Sequence, residues 1–231
     1  MTIARWSSAS VTPAAARAAA QATFGRLPEA PAARVAVPEP RPLDRRRRVD
    51  VPRTEQQAFL GLAWGAAPTN DRDVYAVDLL TYILGDTPSS RLNVVVRERE
   101  RLVFSIEANY GAWEKAGLVT VYARLDPANV DRAEASIVDV VRRVREGGVS
   151  DAELRRAIVT AEANYAFDIE TAEGLAKTYG QAETTWTLEN ELAYLARLRE
   201  TTAPEIQAVA RKYLGDDNYA LVRFIPQGAA R

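Results

Sequence analysis

The chain has 231 residues, 47% hydrophobic and 26% charged, with a net charge of −1 at pH 7. That profile fits an ordinary globular protein with its own buried core and no electrostatic footprint for nucleic acid. Cysteine and histidine are both absent, which excludes disulfides, thiolate nucleophiles, Ser-His and Cys-His triads, and every zinc site that needs a histidine.

Met1–Trp6 reads as a short strand. Thr12-Pro13 then supplies an N-cap and first helical residue for an alanine-rich helix closed by Gly25. Between Leu27 and Pro52 lie six prolines and the run Arg45-Arg-Arg-Arg48. Proline fixes φ and donates nothing to a ladder, so this stretch is expected to be an extended linker, with its arginines solvated. The compact domain is expected to start at Glu55.

Gln57–Ala66 is apolar and glycine-interrupted, the pattern of a buried strand. Asn70 can cap a helix over Asp71–Leu84, ended by Gly85, and a second helix runs from Ser89 or Ser90 to about Arg101. Leu102–Tyr110 and Leu118–Leu125 read as strands joined by a hairpin around Trp113. Asp126-Pro127 opens a helix striped by Val130, Ile137, Val141 and Val144. Ser150 and Glu153 form a capping box for a long helical pattern. Its core stripe includes Leu154, Ile158, Tyr165 and Tyr179, with a kink expected at Ile169–Thr171. Helices over Leu188–Glu200 and Pro204–Leu214 precede a last strand, Tyr219–Ile225. One hairpin and widely separated strands predict an α+β fold, a mostly antiparallel sheet with helices packed on it. No G-x-G-x-x-G or P-loop follows a strand, so nucleotide binding has no support.

The segment Ser90-Arg-Leu…Val96-Arg97-Glu-Arg-Glu-Arg-Leu-Val-Phe104-Ser-Ile resembles a helix-to-strand signature of the pitrilysin (insulinase, processing-peptidase) zinc metallopeptidases. The order of elements over Glu55–Pro226 is similar to the second, non-catalytic half of such an enzyme. The resemblance implies three regions: 1–27 as the tail of a preceding domain, 28–54 as a Pro/Arg-rich linker, and 55–231 as a pitrilysin-like α+β domain. It also implies a partner, the half or subunit that binds zinc through H-x-x-E-H. This chain has no histidine for that motif, so zinc is expected in the partner and no cofactor here. The expected role is to enclose and position a peptide substrate without activity alone. The alternative is an assembly subunit of the same fold that has left proteolysis.

Carried over residue by residue, the family's substrate-contacting arginine falls on Arg97 and its tyrosine on Phe104, which has no hydroxyl to donate. The usual glycine before Leu102 is Arg101. Arg97 has a plainer reading, a solvated arginine paired with its glutamate neighbours, and alternation favours Phe104 as a core residue. The acidic pairs Glu98/Glu100 and Glu170/Glu173 have no pocket or histidine beside them for acid–base work. No apolar run reaches the roughly 20 residues of a membrane span. Met1–Ser10 lacks signal-peptide regions. The compartment stays open: cytoplasmic by default, periplasmic if a signal peptide precedes.

Overall fold

The structure, a computed structural model, describes residues 11–28, 38 and 40–227. The strand expected at Met1–Trp6 and residues 29–37 and 39 of the proline-rich stretch lie outside the described residues. The chain divides into two units, Met1–Pro38 and Glu39–Arg231. In the first, helix α1 (Pro13–Thr23) starts where the Thr12 hydroxyl accepts from the Ala15 amide, and it buries no residue of its own. Alanine supplies helix propensity and little apolar area.

The second unit is built on alternation. Strand β2 (Ala58–Ala66) sends Ala58, Leu60, Leu62 and Trp64 to one face, and β4 (Gly117–Leu125) sends Val119, Val121 and Leu125 to the same face. Together with β1 (Arg47–Arg53), β3 (Ser105–Ala112) and β5 (Tyr219–Pro226) they form a five-stranded sheet in the order β1-β5-β2-β4-β3. All neighbours are antiparallel except β1 and β5, which run parallel.

Among the described residues of this unit, helices cover one face of the sheet. Helix α3 (Val130–Gly147) buries Val130, Ala133, Ile137, Val140, Val141 and Val144 along its expected stripe. Helix α2 (Val74–Thr81) and α7 (Ala203–Tyr213) add Leu79, Leu80, Ile206 and Val209 to the same core. Each of these large apolar side chains contributes roughly 1.5–3 kcal/mol by leaving water. Trp64 closes the core with its indole N–H donating to the Gly215 carbonyl at 2.9 Å and its ring 5.2 Å from that of Tyr219.

Three expectations are corrected. The linker does not extend to residue 54, because its last residues form β1. That strand is fixed by partners far away in sequence: Arg46 bridges Glu134 at 2.5 Å, and Arg223 reaches both Asp131 at 2.5 Å and Asp50 at 3.1 Å. The arginine run is therefore not wholly solvated: Arg46 is engaged on the helix-covered side, and Arg48 pairs with Asp50 at 2.5 Å.

The long helical pattern does not kink but breaks into α4 (Asp151–Asp168) and α5 (Ala172–Thr185). The Thr171 hydroxyl accepts from the Gly174 amide and caps the second piece. As a result Tyr165 and Tyr179 are only half-buried, and Phe167 is 72% exposed. Helix α6 (Leu188–Glu200) lies where it is expected.

The helix expected over Asp71–Leu84 is shorter than predicted. After Thr81 the chain widens into a π-helical segment, Tyr82–Asp86, and a second spans Asn93–Arg99. Packing explains the first widening. A Cβ on Gly85 would meet the Ala108 backbone nitrogen of β3 at 2.3 Å, so only glycine allows this approach.

Candidate functional site

No helix among the described residues of Glu39–Arg231 covers the second face of the sheet. Register places side chains on it in rows across the strands: Val51, Phe224, Phe59, Arg124 and Ser105 in one, and Val49, Val222, Gly61, Tyr122 and Glu107 in the next. Phe59 is 42% exposed and Tyr122 is 51% exposed. Between them runs a groove of about 610 Å³, floored by small residues such as Gly61, Ala63 and Ala220. The Tyr122 ring lies across Gly61, 3.5 Å from where a Cβ would stand. Small residues under aromatic rings leave a shallow apolar trough open to solvent.

Charge on this face is uneven. Arg124 has no ion pair or side-chain hydrogen bond among the described residues, and the Arg53 guanidinium lies 5.1 Å from the centre of the Phe224 ring. Glu107 is one strand from Arg124 and one row further in.

At the edge of the sheet the chain passes from the second π segment into β3. Arg91 begins the junction, bonded through two nitrogens to Glu153 at 2.7 and 2.9 Å and to the Gly148 carbonyl at 2.9 Å. Glu153 also accepts from the Ser150 amide. Its pairing with Arg91 holds its carboxyl far below the usual carboxylate range, at about 2. Ser90-Arg-Leu is therefore a clamp: Arg91 locks the start of α4, and Leu92 is sealed in the core.

Asn93, also buried, donates its amide toward the Thr87 carbonyl and Ser90 hydroxyl, both at 3.1 Å, and toward the Ile106 carbonyl at 3.3 Å. Its free oxygen accepts from Arg97 at 3.4 Å, while Glu98 lies 3.4 Å from the same guanidinium. Arg97 is thus half-exposed and steered from below by a fixed amide.

Arg101 then turns the chain with φ of 53°, a left-handed conformation in which a Cβ is strained. It occupies the position where the resemblance expects glycine. Phe104 is not a core residue: it is 51% exposed, and its backbone N–H donates to the Arg124 carbonyl at 2.7 Å. Leu102, Val103 and Ile106 take the buried places around it, so the expected alternation fails for one turn of chain. Arg97 and Phe104 flank the junction without touching, and neither lines the groove. The residues that do line it, Phe59, Tyr122, Arg124 and Phe224, escape a sequence reading because aromatics in a strand look like core. The available signal was apolar bulk on both parities of β2 and β4.

Groups with shifted acidity lie elsewhere. Burial pushes the Asp78 carboxyl up to about 6, against the pull of the hydrogen bond it accepts from Tyr194. Burial likewise raises Tyr82 to about 12. Both belong to the helical layer. Glu100 accepts from the Ser136 hydroxyl, and Glu98 pairs with Arg97. The chain does not fit a zinc ion: it has no histidine, and among the described residues no three acidic side chains gather as a ligand set. No helix among the described residues is long and apolar enough to cross a membrane.

Residues 7–159 match the family model described as the Peptidase M16 inactive domain. An uncharacterized zinc protease of Streptomyces coelicolor is 32% identical over 165 residues, which cover 71% of this chain and 36% of that protein. The chain therefore spans little more than a third of that relative's length. Among solved structures, a protease from Helicobacter pylori superposes with a TM-score of 0.85 at 17% identity, covering 94% of this chain and 53% of that one. A peptidase M16 inactive domain from Pseudomonas fluorescens gives 0.79 at 21% identity, over 96% and 53%. Both likenesses establish the α+β fold.

Proposed function

Since the chain belongs to the M16 peptidase family, matching its inactive domain, we propose that it acts as the non-catalytic companion of a zinc-binding half. The observation that carries this reading is the uncovered sheet face. Large apolar rings exposed beside a trough of small residues are unusual on a solvated sheet and mark a surface that meets a ligand or partner. In this role the chain closes a chamber, excludes folded substrates and holds an extended peptide. Arg97, steered by Asn93, and Phe104 at the sheet corner are the proposed substrate contacts from the junction. Phe104 offers shape and ring contact in place of a hydroxyl.

The test mixes the chain with a candidate H-x-x-E-H partner and follows cleavage of a quenched peptide. The expected result is turnover that depends on both. Turnover by the partner alone, unchanged on adding this chain, would overturn the proposal.

A second reading, an assembly subunit without a part in proteolysis, is favoured by the missing hydroxyl at Phe104. Arg97→Ala separates the two: substrate contact predicts lost turnover in an intact assembly, and scaffolding predicts a lost assembly.

A further inference from the structure

We infer that the open sheet face selects acidic peptide segments, with Arg124 anchoring an aspartate or glutamate side chain beside the Phe59–Phe224 rings. This inference rests on the peptide-holding reading above and adds the substrate class.

The face carries three arginines, Arg47, Arg53 and Arg124, against one glutamate, Glu107, in a chain whose net charge is −1. The face is thus locally positive, and among the described residues Arg47 alone of the three has an acidic neighbour, Asp44 at 3.7 Å. Two of the three stand at one end. Arg124 and Phe59 are cross-strand partners, Phe59 and Phe224 are the next pair, and Arg53 covers the Phe224 ring. Reading across β4, β2 and β5, the row runs cation, aromatic, aromatic, and ends on Val51 of β1, with the Arg53 guanidinium leaning over Phe224 from the next row.

On the helix-covered side the arginines nearest the sheet are matched within the fold, Arg46 with Glu134, Arg91 with Glu153, and Arg223 with Asp131 and Asp50, whereas others on the helix surfaces stand in solvent. Arg124 has no such match among the described residues. A guanidinium presents a planar fork of donors shaped for a carboxylate. Beside an apolar trough it favours a segment in which an acidic side chain adjoins an apolar or aromatic one. The anchor is distinct from Arg97, which is paired with Asn93 and Glu98 and stands outside the groove. Glu107, one row further in, disfavours a second acidic side chain there and gives the segment a direction.

The test measures binding of dye-labelled peptides to the full chain by fluorescence anisotropy. Three peptides of equal length share an apolar pair and differ at one neighbouring position, Glu, Gln or Lys. All are C-terminally amidated, so that no terminal carboxylate competes for the anchor. The Glu peptide is expected to bind about three- to fivefold more tightly than the Gln peptide, the range of an exposed ion pair. Added salt should shrink that gap. Arg124→Gln should abolish the preference, and Arg124→Glu should reverse it toward the Lys peptide. Arg124 is exposed on the strand surface, so neither variant threatens the fold. Equal binding of the three peptides, or a preference that survives Arg124→Gln, overturns the inference alone. Absence of binding by all three overturns the peptide-holding reading as well.

Discussion

Strands β2 and β4 show two different surfaces made from the same residues read at alternate positions. On the covered side Leu60, Leu62, Trp64, Val119, Val121 and Leu125 are at most 1% exposed. On the open side Phe59, Gly61, Tyr122 and Arg124 face solvent around a trough. The first set meets α2, α3 and α7, and its identities are constrained by packing. The second set faces no helix among the described residues of this unit, and under the proposed function its bulk and charge serve recognition. One strand can thus serve stability and recognition independently, because neighbouring side chains point to opposite faces.

The sharpest break of that comparison is Leu62→Ala, which removes a sealed core side chain. We expect a loss of about 3–4 kcal/mol in chemical denaturation, with peptide contacts on the far face unaltered until the domain unfolds. Next, Arg91→Ala leaves the Glu153 carboxylate without its two-nitrogen partner and should cost about 2 kcal/mol. The Glu153 carboxyl is depressed from 4.5 to about 2. Its contribution is therefore complete above about pH 4.5 and lost as pH falls toward 2. Glu153→Gln should flatten that acid limb in thermal melts taken from pH 5 to pH 2.

Asp78 has the opposite sign. Its folded-state value of about 6 lies above the ordinary 3.8, so its contribution is complete below pH 3.8 and disappears as pH rises through 6. Asp78→Asn should therefore stabilise the protein at pH 7.5 by about 1–2 kcal/mol. The gain should vanish in melts at pH 3.5. Arg101→Gly relieves the left-handed turn at φ of 53° and should add about 0.5–1 kcal/mol, read as a higher denaturation midpoint. The smallest stability effect belongs to the open face. Phe59→Ser should change unfolding free energy by less than about 0.5 kcal/mol, as for an exposed site, while weakening capture of apolar peptides. A large destabilisation by that change would show that Phe59 serves the core after all.

The parts of this architecture visible in the sequence are those whose causes are local. Thr12-Pro13, Asp126-Pro127 and the Ser150/Glu153 box mark helix starts because their hydrogen bonds span three residues or fewer. The β3–β4 hairpin is equally local. What escaped has distant causes. Strand β1 contains Pro52 and four charged residues, and only β5, Glu134 and Arg223 make it a strand. The first π segment lies where Gly85 presses on Ala108 of another element. Phe104 leaves the core because Leu102 and Val103 are both buried before the strand begins. Arg97 was visible through resemblance, whereas Arg124 was hidden because nothing in Tyr122-Ala-Arg124 says that one face of the strand is bare.

Strand β1 has a practical consequence. A shorter protein beginning at Glu55, the boundary suggested by the prolines, would keep every core residue of the sheet yet strip β5 of its parallel neighbour. It would also remove Asp50 and Arg46 from beside the buried Arg223 and Glu134. The bare backbone of β5 would then be free to pair with another molecule, so such a truncation should self-associate where one starting at Glu39 stays dispersed. Light scattering of the two would tell them apart.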